Sequence, residues 1–236
     1  MTLDDWKDVK LFDPPYSGNS DSHFNNTIKQ DIDYGLSLCE VDGLYMEFGV
    51  FKGTTINHCS SKLKDKTFYG FDSFEGLPEA WDLVGNTGHN VSKIQVKEKG
   101  HFALDKLPKV NDNVKLVEGF FDQSLQPWMK ENITDQSKIA WLHLDADLYS
   151  STIYVLEQLN NYIVPGTIIR FDEIVEWRLE LENNVMKDIK AKPKAKYADW
   201  RNGEWKALNE WIDKYDRQVQ PMWRNWHQGG GIKIIV

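Results

Sequence analysis

The sequence holds two cysteines among 236 residues, Cys39 and Cys59. They form no CxxC pair and are too few for a disulfide framework, so they read as reduced thiols of a cytoplasmic protein. No run of 18 apolar residues is present, which excludes a transmembrane helix of the usual length. The opening segment, Met1-Thr-Leu-Asp-Asp-Trp-Lys-Asp, carries acids where an export signal needs a basic stretch and then an apolar one, so no export is expected. Positive charge is in deficit: 28 Lys+Arg against 36 Asp+Glu leave a formal charge of −8. Such a chain has no general field to draw it to a phosphate backbone, and neither nucleic acid nor a membrane is expected as a partner. The phosphate-binding signatures GxGxxG and GK[ST] are missing as well.

Aromatic residues, by contrast, are abundant. Five of the ten tryptophans (Trp200, Trp205, Trp211, Trp223, Trp226) lie beyond residue 199, so the C-terminal stretch is expected to be packed and to wall an acceptor site. Residues 1–25 read as an irregular lead-in around Pro14, Pro15 and Gly18. Ile28, Ile32, Leu36 and Leu38 then suit a helix from Thr27 to near Gly43. Leu44-Tyr-Met-Glu-Phe is a short apolar run that breaks at Gly49 and Gly53 before a polar helical stretch to Lys64. Strand patterns recur at 67–72, 114–118, 139–145 and 167–172, with helical ones near 121–131 and 150–163. The alternation predicts βαβ units and a parallel sheet covered on both faces. A helix over Glu204–Tyr215, and two strands within 218–236 joined through Gly229-Gly230-Gly231, complete a single domain spanning 1–236. Two segments fall outside the alternation. Residues 73–112 suit a lid. The Lys-rich stretch 187–201, within a substrate-side region 176–203, suits either a solvated loop or a patch for an anionic group.

In an open α/β sheet, ligands bind beyond the carboxyl ends of the strands. Glu47 lies in one strand, and Asp72, Asp145 and Asp172 close three others. Each Asp alone could cap the next helix, but four strands delivering carboxylates to one edge form a stronger pattern. The turn Glu47-Phe-Gly49-Val-Phe-Lys-Gly53-Thr54 has glycines where backbone turns sharply beside a ligand, and an acid that would repel a phosphate. Asp72 stands where an acid accepts from ribose hydroxyls. A cationic nucleoside without phosphates meets both conditions, and S-adenosylmethionine is one. If the strands ending at Asp145 and Asp172 are neighbours, about 4.8 Å apart, then Asp145, Asp172 and Glu173 need a cation between them. Oxygen-only ligands suit Mg²⁺, or else Mn²⁺ or Ca²⁺, in place of zinc. His143 shares a strand face with Trp141 and Asp145 and fits a core role or a site role. Arg170, inside an apolar strand, reads as the partner of a buried acid. No Ser-His-Asp or Cys-His arrangement emerges.

Four blocks, Glu47-Phe-Gly-Val-Phe-Lys-Gly53, Gly70-Phe-Asp-Ser-Phe-Glu-Gly-Leu-Pro78, His143-Leu-Asp-Ala-Asp-Leu-Tyr-Ser-Ser-Thr152 and Pro165-Gly-Thr-Ile-Ile-Arg-Phe-Asp-Glu173, resemble the macrocin/mycinamicin O-methyltransferase family. Gly203-Glu-Trp-Lys-Ala-Leu208 resembles a later block of it. The resemblance implies a class I methyltransferase (Rossmann-like) α/β fold: a seven-stranded, mainly parallel sheet with an antiparallel last strand. It implies S-adenosylmethionine at Glu47, Gly49, Gly53, Thr54, Asp72 and Ser73, with Gly119 and Phe121 near the adenine, and a divalent metal at Asp145, Asp172 and Glu173. The activity it implies is O-methylation of a hydroxyl on a sugar, whether free, on a glycan or on a small molecule; a homo-oligomer is compatible with it. Asp145 is the first candidate for general base, with His143 and His227 open. Leu148 stands where similar catechol-type enzymes have a lysine, which disfavours their mechanism. The alternatives are a metal-free methyltransferase on another small acceptor and a non-catalytic nucleoside-binding module.

Overall fold

Apolar strands and helices alternate in the computed structural model, which describes residues 1–12, 20–86, 95–180 and 196–236. In chain order the elements are β1 (Lys10–Phe12), α1 (Ser20–Ser37), β2 (Leu44–Phe48), α2 (Thr54–Lys62), β3 (Phe68–Asp72), β4 (Trp81–Asp82), β5 (Val96–Lys97), β6 (Val114–Glu118) and α3 (Phe121–Asn132). There follow β7 (Ile139–Leu144), α4 (Tyr149–Leu159), β8 (Ile168–Phe171), α5 (Trp177–Glu180), α6 (Glu204–Tyr215), β9 (Val219–Asn225) and β10 (Gly230–Ile234). The main sheet has the order β1-β9-β10-β8-β7-β2-β3-β6. β6, β3, β2, β7 and β8 pair in parallel, while β10 is antiparallel to both of its neighbours. The chain leaves β2 outward to β3 and β6 and then returns to β7 on β2's other side, so the crevice of the switch point opens between β2 and β7.

Seven strands follow the expected fold, and β1 adds an eighth by pairing in parallel with β9. The lead-in is therefore partly ordered backbone, held by three residue pairs that no periodicity could announce. Helix α1 starts before Thr27 and stops at Ser37, short of Gly43. Gly230 and Gly231 belong to β10 and not to the turn, because aromatic rings fill the space: a Cβ on Gly231 would sit 2.0 Å from the Trp223 ring and one on Gly230 would sit 2.6 Å from the Trp6 ring. Gly35, inside α1, makes way for Trp141 and Trp223 in the same manner, at 2.6 and 2.7 Å. That space offsets the roughly 1 kcal/mol by which glycine weakens a helix.

One face of the sheet packs under α1 and α2 around Ile32, Tyr45, Phe68, Trp141 and Trp223. The other packs under α3, α4 and α6 around Phe48, Phe71, Leu142, Phe171 and Trp211. Trp200, Trp211 and Trp223 are fully buried, as the C-terminal clustering predicts. They fill the core, and no tryptophan lines the cavities described below. Within 73–112 the strands β4 and β5 pair, and Trp81 packs on Tyr197 with ring centroids 5.1 Å apart. Ala198 N donates to Leu83 O at 2.7 Å, so the 73–112 segment and the 196–202 segment brace each other. Residues 13–19, 87–94 and 181–195, which include Pro14, Pro15, Gly18 and most of the Lys-rich stretch, lie outside the described residues. No helix among the described residues is long and apolar enough to cross a membrane.

Candidate active site

At the carboxyl ends of β2, β3, β7 and β8 lies a cavity of about 510 Å³, lined among others by Gly49, Asp72, Ser73, Phe121, Asp145 and Glu173. A second, of about 330 Å³, opens on the α1 side and reaches Thr54, Asp145 and Asp172. Phe51 and Asp145 line both, so the Gly49–Gly53 turn stands between the two. Gly49 has φ 94°, and a Cβ there would lie 1.9 Å from the Asp145 carbonyl oxygen. Its glycine is thus required by the neighbouring strand end, in addition to any ligand. Gly53 caps α2 in the left-handed region. Asp72 Oδ2 accepts from Val50 N at 2.8 Å and Phe51 N at 2.7 Å, and Oδ1 accepts from Phe74 N at 2.7 Å. The carboxylate therefore shapes the turn while Oδ1 keeps a lone pair for the cavity. Gly119 has φ 130° and donates to Asp72 O at 3.0 Å, placing Phe121 without itself lining the cavity.

The acids concentrate further than the sequence reading anticipated. Carboxylate oxygens of Asp145, Asp147 and Glu173 lie within 4.8 Å of one another, and an imidazole nitrogen of His143 lies within that distance of Asp145 and Asp172. Helix α4 takes no side-chain cap, its N-cap being Leu148, so capping does not account for Asp145. Burial, and then repulsion from Asp172 and Asp147, pushes the Asp145 carboxyl well above its ordinary value; burial and Asp172 do the same to Glu173. Asp147, at φ 60°, is pushed by burial up to about 7 although Lys97 opposes the rise. Asp172 behaves differently: burial works against its charge, but Arg170 at 2.7 Å more than offsets this and holds it below the usual range. Glu204, buried at the start of α6, accepts from Glu173 N at 3.0 Å and Ala146 N at 3.4 Å, and burial raises it to about 8.

Glu47, His143 and His227 line neither of these cavities, and Asp172 lines only the smaller one. Parallel register places Glu47, His143 and Arg170 side by side across β2, β7 and β8, on the face under α1. Glu47 is buried, accepting from Thr55 Oγ1 at 2.7 Å and from His143 Nδ1 at 2.9 Å. His143 Nε2 meets Arg170 Nη1 at 2.5 Å. A guanidinium only donates, so Nε2 is an acceptor, the ring is neutral, and neither nitrogen is left for a substrate proton. His227 lies against Trp226, ring centroids 3.9 Å apart, and lines none of the described cavities.

Residues 29–195, more than half of the chain, match the macrocin O-methyltransferase (TylF) family. The chain belongs to this family. A curated relative from Streptomyces olivaceus, 8-demethyl-8-(2,3-dimethoxy-alpha-L-rhamnosyl)-tetracenomycin-C 4'-O-methyltransferase, is 29% identical over 143 residues, 56% of this chain and 53% of the relative. The match thus spans about half of that relative's length. Among solved structures, the calicheamicin methyltransferase CalS11 superposes with a TM-score of 0.59 at 21% identity, covering 93% of this chain and 87% of that one. The O-methyltransferase NovP gives 0.51 at 19% identity, covering 90% and 80%. These likenesses establish the class I methyltransferase fold.

For this member of the macrocin O-methyltransferase family, the donor set fits a hard divalent cation. Glu173 Oε2 is buried without a hydrogen-bond partner, and the cluster offers carboxylates where a lone anion would be disfavoured. Sequence reasoning missed three contributors. Asp147 stood two residues from Asp145 in the quoted block, and that spacing was its signal. Glu204 is the second residue of the later block, Gly203–Leu208. Thr55, which fixes Glu47, gave no signal of its own.

Proposed function

We propose that this chain is an S-adenosylmethionine-dependent O-methyltransferase acting on a sugar hydroxyl, with a divalent cation held by Asp145, Asp172 and Glu173 and with Asp147 within reach. The observation that carries the reading is the convergence of the Asp145, Asp147 and Glu173 carboxylates on a cavity whose other wall is the glycine turn. Gly49, Asp72, Ser73 and Phe121 on one side, with Gly53 and Thr54 beyond the turn, are assigned to the cofactor. Glu47 supports that turn through Thr55. The cofactor supplies an activated methyl group, so the chain's own task is to align a hydroxyl and take its proton. When bound, the cation supplies charge stabilisation for the acceptor oxygen. Asp145 lines both cavities and is assigned the proton. The hydrogen bonds of His143 and the placement of His227 argue against either as base. Phe51, Leu77, Pro78 and Phe102 give the cavity apolar surface suited to a sugar ring. Family membership and the rhamnosyl acceptor in the curated relative's name support a sugar as substrate. Calorimetry with S-adenosylmethionine, with and without Mg²⁺ and on Asp145→Asn, tests the assignment. Cofactor binding by the wild type is expected, whereas no heat of binding under any condition would overturn it.

A further inference from the structure

Arg170 and Asp31 are buried charges assigned neither to the cofactor nor to the acceptor. Asp31, on α1, accepts Arg170 Nε at 2.9 Å, Nη2 at 3.4 Å and Asn225 Nδ2 at 2.6 Å, and all three side chains are buried. Arg170 Nη1 carries two hydrogens. One goes to His143 Nε2 and the other to Asp172 Oδ1. A buried ion set of this kind stabilises a fold no better than well-packed apolar residues. What a guanidinium offers instead is direction, since its planar fork fixes several acceptors at once. The acceptor it occupies here is informative. An imidazole nitrogen of His143 lies within 4.8 Å of carboxylate oxygens of both Asp145 and Asp172, which is a mixed nitrogen and oxygen donor set of the sort that zinc takes readily.

We propose that Arg170, anchored by Asp31, is a positioning residue that sets cation choice: it occupies His143 Nε2 and orients Asp172, leaving only oxygen donors to the site. The selectivity is for Mg²⁺ or Mn²⁺ over Zn²⁺, and it is built from the α1 face of the sheet, away from the acceptor cavity. The inference rests on the cation reading of the carboxylate cluster.

The test compares wild type with Asp31→Asn/Arg170→Met, which removes both buried charges together. Mn²⁺ binding is followed by electron paramagnetic resonance, Zn²⁺ binding by competition with a chromophoric chelator, and the His143 tautomer by ¹⁵N NMR. The wild type is expected to bind Mn²⁺ and to hold His143 as the Nδ1–H tautomer whether or not Zn²⁺ is added. In the variant, the ratio of Zn²⁺ to Mn²⁺ affinity is expected to rise at least about tenfold, the usual scale for residues behind metal ligands, and the His143 Nε2 signal to shift on Zn²⁺ addition. A folded variant with the wild-type ratio and tautomer overturns the proposal while leaving the cation site intact. A wild type that binds no Mn²⁺ overturns the cation reading, and this inference with it. If the double variant does not fold, Asp31→Asn alone, equal in shape, is expected to mix the His143 tautomers and weaken Mn²⁺ about tenfold; wild-type values there would also overturn the proposal.

Discussion

Gly49 carries two demands at once. Its φ of 94° and the Asp145 carbonyl 1.9 Å from its would-be Cβ leave no room for any side chain. Gly49→Ala is expected to destabilise by about 3 kcal/mol, lowering Tm by roughly 10 °C; an unchanged melt would show that the turn relaxes freely. Asp145→Asn keeps the shape but removes the charge that faces both cavities, so turnover is expected to fall by about 10² or more, the scale of a lost general base. His227→Gln should lose far less than that in steady-state rate, because the ring lines none of the described cavities; a comparable loss would return His227 to the candidate bases. The sequence exposed Asp145, Asp172 and Glu173 because they stand at strand ends in recognisable blocks. It could not distinguish Glu47 and His143 from cavity residues, since the period of two gives the face of a strand but not which face meets the ligand.

The last helix reaches into the site from above. Glu204 at its first turn holds the backbone of Ala146 and Glu173, and so couples α6 to the loops after β7 and β8. Its carboxyl titrates near 8 in the folded chain against an ordinary 4.5, so between those values the folded form binds the proton more tightly. The contribution to stability is therefore full below about 4.5 and is lost as pH rises through about 8. In chelator, Tm is expected to fall between pH 5.5 and 8.5, and Glu204→Gln should flatten that slope; equal slopes in both proteins would remove Glu204 as its source. The 73–112 segment is held through Trp81 on Tyr197, and Lys97, which lines the cavity, lies 4.3 Å from the Trp81 and Phe102 rings. Trp81→Ala is expected to raise KM for the acceptor while leaving the affinity for S-adenosylmethionine within about twofold, as remote positioning contacts do. Calorimetry beside steady-state kinetics would separate these, and a matching loss of cofactor affinity would contradict the assignment. Elements with a clear apolar pattern are legible: β2, β3, β6, β7 and β8, and α6 at its stated bounds. The three-residue β1 was not, because its pairing with β9 depends on tertiary placement. The glycines of β10 read as a turn in the sequence because their causes, the Trp6 and Trp223 rings, come from elsewhere in the chain.

Across the whole molecule, the charge of −8 acquires a location. Asp145, Asp147, Asp172, Glu173 and Glu204 meet at one sheet edge, and Arg170 balances only part of them. A protein with this arrangement should gain stability from a cation that binds the folded state alone. Methyl transfer from labelled S-adenosylmethionine to rhamnosides with neighbouring free hydroxyls, run first in EDTA and then after Mg²⁺ is restored, is the decisive test of cation-assisted sugar methylation. A labelled methyl ether is expected to form only with Mg²⁺ and not with Asp145→Asn; product formed equally well in EDTA would show that no cation takes part.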